Sequence, residues 1–474
     1  MLTLHQVNFA YDQIYSVDNK GRKKATSRNL SHLSIEPQGS FDYSTVEEQA
    51  EKLGLKLPVV EVEELTVEQK DWLHELNALS PSRYFDNTLD NINTFSLEEV
   101  YNTPELKFNY PIVLFSDKLF EHKQIELPQK LITCLKRNQA TLVFCILTEG
   151  WFGSKIKHFQ QLHNVSNKYN LKQEQLYVLS ANLKSQILYT DFLKGHTVDP
   201  KVTIYGYNYF KNLVWFYPDS KETPSILNDE YRAKLVEFHY KCKTLRNKMM
   251  FSKHFLCFNR APRLHRLFAF GELMSNRKLI GKSITTLGRA YNDNKQAFFF
   301  ATRALLEDTY RHCKDRLLNF YENYNSISSY SYDIPNIKET NAASNLNVNL
   351  HNSTFVNIVT ETLFDNDSVF ISEKLYKPIL CCQPFIVVGS PNYLKKLREL
   401  GFETFSDIWD ESYDEEENTT ERFAKIVDTL EDIASWDPHK QNLIQNILSE
   451  RLTRNFEKLT DPTEPYKLFE FLNK

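Results

Sequence analysis

Long apolar runs are missing from this 474-residue chain. No stretch approaches the roughly eighteen apolar residues that a membrane-spanning helix needs, so a membrane span is not expected. The opening stretch, MLTLHQVNFAYDQIYSVDNKGRKK, has no charged lead followed by an apolar core, and no secretory signal is visible. The seven cysteines contain no CxxC pair, and an odd count so spaced fits neither a disulfide framework nor a zinc site. Adjacent Cys381 and Cys382 read as small residues facing a core. These absences point to a reducing compartment: the cytosol, or a host cytosol if the gene is viral. Glycine is scarce as well, at 12 residues against 33 Phe and 25 Tyr, which suggests a well-packed, aromatic-rich interior. There is no internal repeat and no long low-complexity tract.

What is present describes a soluble globular chain, 41% apolar and 25% charged. Its length exceeds one ordinary core, so two domains are expected. A helical, acidic pattern covers Val46 to Leu79. Apolar runs then end in polar or turn residues: YPIVLFSD (110–117), ATLVFCILTEG (140–150), QLYVLSAN (175–182) and VTIYGYNYF (202–210). The first two have the near-continuous hydrophobicity of strands buried on both faces of a parallel sheet. Amphipathic stretches between them suit crossover helices. After a Pro- and Asp-containing linker candidate, YPDSKETPSILND (217–229), the alternation resumes. HFLCFNR (254–260), FVNIVTE (355–361) and QPFIVVG (383–389) read as strands and KLIGKSITTLG (278–288) as strand and turn, with a long helical pattern at 296–322. The fold class expected is α/β, two Rossmann-like domains with a cleft between them. Residues 1–225 form the first domain, 226–440 the second, and the helices of 441–474 close the chain, with the option of packing back on the first domain.

The net charge of −4 hides an asymmetry. Residues 232–289 carry fourteen Lys/Arg against two acids, and residues 403–432 carry twelve acids against two bases. The basic excess implies an anionic ligand, a phosphate-bearing small molecule or nucleic acid, or else a solvated basic face.

The stretch FISEKLYKPILCCQPFIVVG (370–389) places Glu373 and Lys374 side by side where a strand-to-helix turn is expected. A helix N-terminus prefers acids, so Ser372 as cap and Glu373 fit, whereas Lys374 does not. A cation there makes sense with an anion between it and the helix end. Glu373 could accept two hydrogen bonds from a ribose diol while Lys374 meets phosphate, at the carboxyl end of a strand where open α/β sheets bind ligands. The plain alternative is a solvated surface pair. In CFNRAPRLHRLFAFGEL (257–273), Arg260, Arg263 and Arg266 recur every three residues across another strand-to-helix turn, a second candidate phosphate cradle.

The segment TETLFDNDSVFISEKLYKPILCCQPFIVVGSPNYLKKLRELGFETF resembles the donor-binding motif of α1,3-fucosyltransferase-type glycosyltransferases. Their pattern runs FEN, a short loop, Y-I/V-T-E-K, a helix, then PV-V-x-G. The resemblance is confined mainly to the C-terminal half. It implies a GT-B fold, with a nucleotide sugar held mainly by the second domain and no metal or other cofactor. Within it, Glu373 matches the ribose-binding acid, Lys374 the phosphate-binding lysine, Phe370 the aromatic position near the base and Glu361 the acid of the FEN segment. Arg266 matches the phosphate-binding arginine, with Arg263 as the fallback. Phe370 replaces the usual tyrosine, Ser372 a threonine, and Thr362-Leu363 follow Glu361 in place of Asn-Ser, departures that bear on the base and sugar of the donor.

Glycosyl transfer passes through an oxocarbenium-like state, and the leaving nucleoside diphosphate gathers charge that Arg and Lys can stabilise. Inversion needs a base from the first domain to deprotonate the acceptor hydroxyl. Glu149, closing TLVFCILTEG, is the first candidate and Asp117, closing PIVLFSD, the second. The expected activity is an inverting, metal-independent glycosyltransferase acting on a glycan. The alternatives are a viral-type DNA glycosyltransferase acting on hydroxymethylated bases and an inactive nucleotide- or glycan-binding scaffold. Lesser signals are the DND triplet (365–367), read as a loop and not a metal site, and GKS (281–283), which lacks the upstream glycine of a P-loop but leaves Lys282 free to face a phosphate. His254 and His265 read as packing or phosphate-adjacent residues, and DESYDEEEN (410–418) as a solvated loop.

Overall fold

A computed structural model of the chain describes residues 7–11, 16–17, 23–24, 92–113, 125–147, 150–208, 229–259, 263–287, 346–364 and 367–472. The helical segment expected at 46–79, most of the 217–229 linker and the pattern at 296–322 lie outside these residues. So do Asp117, Glu149, Arg260, Asp365 and Asn366.

Short apolar runs fold as parallel strands in both halves. In the first half β1 (Val7–Tyr11) is followed by a small antiparallel pair, β2 (Ser16–Val17) and β3 (Lys23–Lys24). Then come β4 (Ile92–Ser96), β5 (Phe108–Val113), β6 (Ala140–Ile146), β7 (Leu176–Ser180) and β8 (Thr203–Gly206). Six of these strands form one sheet in the order β4-β1-β5-β6-β7-β8, every pairing parallel. Parallel neighbours need crossovers, and the described helices between strands are α1 (Leu97–Tyr101), α2 (Gln129–Lys136), α3 (Ile156–Tyr169) and α4 (Ser185–His196). Ser96 starts α1 through a capping box with Glu99, and Asn170 ends α3 in the left-handed region at φ 52°. All five β7 side chains are buried, so that strand is covered on both faces.

The second half opens with α5 (Asp229–Arg246), β9 (Lys253–Asn259), α6 (Leu264–Ser275) and β10 (Ser283–Leu287). It continues with α7 (Val348–Ser353), β11 (Thr354–Thr360), α8 (Glu373–Leu380), β12 (Phe385–Val388) and α9 (Tyr393–Glu399). Its parallel sheet has the order β10-β9-β11-β12. The chain leaves β9 towards one side, to β10, and resumes on the other, at β11. The order therefore reverses between β9 and β11, and at such a switch point the carboxyl ends of open α/β strands diverge into a crevice. Of the strand and turn expected at 278–288, the strand runs from Ser283 to Leu287. The backbone N–H groups of Leu279 and Ile280 turn back onto Asn276, and Gly281 takes φ 76°, so 276–282 is a turn.

Three helices close the chain: α10 (Thr419–Ala434), α11 (Pro438–Thr460) and α12 (Thr463–Leu472). A boundary at residue 440 falls inside α11, which packs in the second half against α5 and α8. Helix α12 lies on the first sheet: Asn109 donates to the Leu472 carbonyl at 3.1 Å, and the Phe471 ring sits 4.8 Å from both Tyr177 and Tyr205. No helix of the described residues is long and apolar enough to cross a membrane.

Among the described residues, further links join the halves at the carboxyl edges of their sheets. The Leu183 side chain, just beyond β7, is buried in the second core, and its N–H donates to the Val369 carbonyl at 2.9 Å. Tyr376 on α8 donates to Asn208, beyond β8, at 2.6 Å.

Candidate functional site

The site is built at the switch point of the second sheet. Strand β11 is wholly buried, and where it ends Glu361 turns its carboxylate into the protein, 1% exposed. One oxygen accepts from the Ser372 N–H at 3.1 Å and the Tyr393 hydroxyl at 2.8 Å; the other accepts from the Ser372 hydroxyl at 2.7 Å and the Thr362 N–H at 3.2 Å. Glu361 thus spends both oxygens inside the protein and fixes Ser372, the residue that starts α8. Burial, and after it the Glu361 charge, pushes the Tyr393 hydroxyl well above its ordinary pKa, so it stays a donor.

Helix α8 forms where its first residues favour it. Ser372 sits in extended backbone and its hydroxyl accepts from the Lys374 N–H, while Leu375, Tyr376, Ile379 and Leu380 make a buried face. Pro378 lacks an N–H for the Lys374 carbonyl, and Cys382 at φ 53° ends the turn soon after. Cys381 and Cys382 face the core, as expected. On the opposite face Glu373, Lys374 and Lys377 are half-buried. Lys374 pairs with Glu373 at 3.0 Å and reaches the Ser372 hydroxyl at 3.2 Å. Burial pushes the Glu373 carboxyl upward, but the charges of Lys374 and Lys377 outweigh it and hold the carboxyl below the usual range. Lys377 is lowered to about 8, first by burial and then by Lys374, against the pull of Glu373. Lys377 is not among the residues expected from the sequence, where its one signal is the i,i+4 spacing from Glu373.

Helix α6 faces this turn from β9. Arg263, half-buried at its start, donates to the Thr362 carbonyl at 2.7 Å. Arg266 is 3% exposed and its Nη2 donates to the carbonyls of Glu361 at 3.1 Å and Thr360 at 3.3 Å. It therefore braces the end of β11. Burial and the neighbouring Arg263 lower it to about 10, while Glu361 and Glu373 act the other way. His265 bonds the Glu361 carbonyl at 2.7 Å and stacks on Phe364 at 5.3 Å; burial first, then Arg266, keeps its pKa well below the ordinary value. It packs the loop as a neutral ring. The Arg422 guanidinium stands 4.4 Å from the Phe364 ring and donates to the Phe364 carbonyl.

Phe370 is 3% exposed and buried against the first half: a Cβ on Gly150 would lie 2.4 Å from the Phe370 Cβ. The same segment is held by Asn182, whose Oδ1 accepts from the Val369 N–H at 3.1 Å and whose Nδ2 donates to Ser368 at 3.1 Å and the Phe152 carbonyl at 2.8 Å. Asp367 of the DND triplet pairs with Lys184. Among the described residues no group of three or more His, Cys, Asp or Glu could hold a metal ion.

Three expectations are corrected, those for Lys282, for the basic segment as an anion-facing surface and for the solvated acidic loop, while His254 packs as one of its two readings had it. Lys282 precedes β10, so the length of a strand separates it from the carboxyl edge, and its ammonium donates to the Ala434 carbonyl at the end of α10. His254, at the start of β9, stands at the same far edge and bonds the Trp436 carbonyl and Gln441. The basic segment is therefore not one anion-facing surface. Arg263 and Arg266 stand at one edge of the sheet, while Lys253, bonded to the Gly281 carbonyl, and Lys282 stand at the other. The acidic loop is only partly solvated. Asp414 is 3% exposed and accepts from the first N–H groups of α9, Leu394 at 2.7 Å and Lys395 at 2.8 Å, while Glu411 accepts from Phe405 at 2.8 Å.

The arrangement leaves one face of α8 and the start of α6 presenting Glu373, Lys374, Lys377 and Arg263 around a braced strand end. Comparison with models of known protein families gives no match, and comparison with curated proteins gives none either.

Proposed function

We propose that this chain is a nucleotide-sugar-dependent glycosyltransferase of GT-B type, inverting and metal-independent, with a glycan as acceptor. One observation carries the reading: a carboxylate and basic side chains converge at the switch point of a parallel sheet, at the start of a helix whose entry is fixed by a buried acid. A ribose diol would meet Glu373, and the diphosphate would lie between Lys374 and the α8 N-terminus, with Arg263 beside it. Arg266 contributes charge from behind and holds the strand end in place. As the glycosidic bond breaks, negative charge grows on the diphosphate, and these cations stabilise it without moving. The acceptor proton goes to a carboxylate of the first half, Glu149 or Asp117.

The docking of 367–370 on Asn182 and Gly150 supports this division of labour, because it sets the donor-side helix against the edge of the sheet that would bring the acceptor. A DNA acceptor loses its main support, since the basic segment is divided between two edges.

A panel of nucleoside diphosphates and nucleotide sugars, read by thermal shift and by release of free sugar, tests the proposal. One nucleotide family should raise the melting temperature of the wild type but not of Glu373→Ala, and its sugar should be hydrolysed slowly without acceptor. Binding with no hydrolysis or transfer for any activated sugar would mark a binding scaffold.

A further inference from the structure

The helix that follows β12 reaches back to the end of β11 through the hydroxyl of Tyr393, which donates to Glu361 at 2.8 Å. The Tyr393 side chain is buried and its ring has a prepared place: a Cβ on Gly389 would stand 3.3 Å from the Tyr393 Cδ2, and glycine leaves that space open. Asn392, just before it, takes the left-handed region at φ 62° and donates its N–H to the Asp414 carbonyl at 2.6 Å. The Asp414 carboxylate accepts from the next two N–H groups of the helix, those of Leu394 and Lys395. Tyr393 therefore comes to Glu361 from an element that is anchored apart from the switch-point turn.

The other hydrogen bonds to the Glu361 carboxylate come from that turn itself, the Thr362 N–H and the N–H and hydroxyl of Ser372. Arg266 holds the backbone of Glu361 through its carbonyl, so Tyr393 and Arg266 fix different parts of one residue. Two donors on one oxygen, the Tyr393 hydroxyl and the Ser372 N–H, set the plane of the carboxylate and turn its second oxygen onto the Ser372 hydroxyl at 2.7 Å. That hydroxyl spends its proton on Glu361 and leaves its lone pairs to Lys374. It accepts from the Lys374 N–H at 3.3 Å and from the ammonium at 3.2 Å, and the ammonium meets the Glu373 carboxylate on its other side at 3.0 Å. A run of hydrogen bonds thus leads from α9 through Tyr393, Glu361 and Ser372 to Lys374, in the first turn of α8. Members of a buried network of this kind order one another.

We propose that Tyr393 is a positioning residue of the donor site: through Glu361 and Ser372 it sets where the Lys374 ammonium stands, and so how tightly the site holds a diphosphate. This inference rests on the donor-site reading above and adds the group that aligns its cation. A binding side chain keeps its geometry only while the hydrogen bonds behind it are in place. Without the Tyr393 hydroxyl one oxygen of Glu361 loses a donor, the carboxylate turns to replace it, and the Ser372 hydroxyl turns with it. The ring, its packing and the start of α9 stay as they are.

Calorimetric titration of the full chain with GDP, UDP, ADP, CDP and inorganic pyrophosphate tests this, using wild type, Tyr393→Phe, Lys374→Ala and the double variant. For the probes that bind the wild type, Tyr393→Phe should weaken binding about three- to tenfold, the loss of one hydrogen bond to a charged group. In the Lys374→Ala background it should weaken binding no further, because the cation it aligns is gone. A loss of stability alone would act alike in both backgrounds. Where Lys374→Ala binds too weakly to read, Ser372→Ala serves as the second background, and there too Tyr393→Phe should change nothing. Should Tyr393→Phe fold poorly, Ser372→Ala against Ser372→Ala/Lys374→Ala reads the same run at its next link, and additive losses there overturn the proposal. A Tyr393→Phe protein that binds as tightly as wild type, or loses affinity equally in both backgrounds, also overturns it and leaves the donor site standing. If none of the probes binds the wild type, the donor-site reading and this inference fall together.

Discussion

At the scale of single residues, Glu361 does more than its neighbours because it is buried and accepts four hydrogen bonds. Glu361→Ala leaves those donors without an acceptor and should cost about 2–4 kcal/mol, read as a lower urea midpoint. Glu373 has a different signature. Its carboxyl sits below the usual range in the folded chain, so its contribution is present above the unfolded-state pKa and is lost as pH falls through the folded value. Asp414 and Glu411, raised by burial, titrate in the opposite sense, so the difference between wild type and Glu373→Gln is the quantity to follow. That difference should be largest near neutral pH and shrink towards pH 3; a constant difference would remove the ionic role of Glu373. The Glu373–Lys374 pair was legible in the sequence because its oddity is local: a cation in the first turn of a helix runs against the helix dipole. Lys377 was not, since an isolated lysine one turn later looks like an ordinary polar position.

At the scale of elements, the strands were legible because buried parallel strands are short continuous apolar runs, and ATLVFCI, LYVLS and FIVV all fold as such. Placement across an element was not. Lys282 follows Arg266 closely in sequence, yet a helix and a turn return the chain to the opposite edge of the sheet before β10 begins. Nothing local separates Asp414 from the acids around it. Its role is set by a distant partner, the free N–H groups of α9. Asp414→Ala should cost about 1–2 kcal/mol through the lost cap, whereas substitution of the exposed Glu415 should change little. Equal losses at the two positions would refute the capping role.

At the scale of the whole molecule, the described residues join the two halves at three places: the 367–371 segment on Asn182 and Gly150, Tyr376 on Asn208, and α12 on the first sheet. Gly150→Ala forces its Cβ against Phe370 and should cost about 1–3 kcal/mol. It should also weaken nucleotide binding, because the displaced segment leads into Ser372. Phe471→Ala removes the ring between Tyr177 and Tyr205 and should lower stability by about 2–4 kcal/mol without altering nucleotide affinity. If Phe471→Ala weakens nucleotide binding as much as Gly150→Ala does, the two contacts are not separable and the donor side depends on the whole assembly. Whether the α8 start holds a nucleoside diphosphate is decided by calorimetric titration of wild type, Glu373→Ala and Lys374→Ala with the common nucleoside diphosphates. The wild type should bind one nucleotide, and each variant should lose at least about tenfold in affinity, the loss of one charged hydrogen bond. A wild type that binds none of them, or variants that bind as tightly as it does, would contradict a nucleotide site at α8.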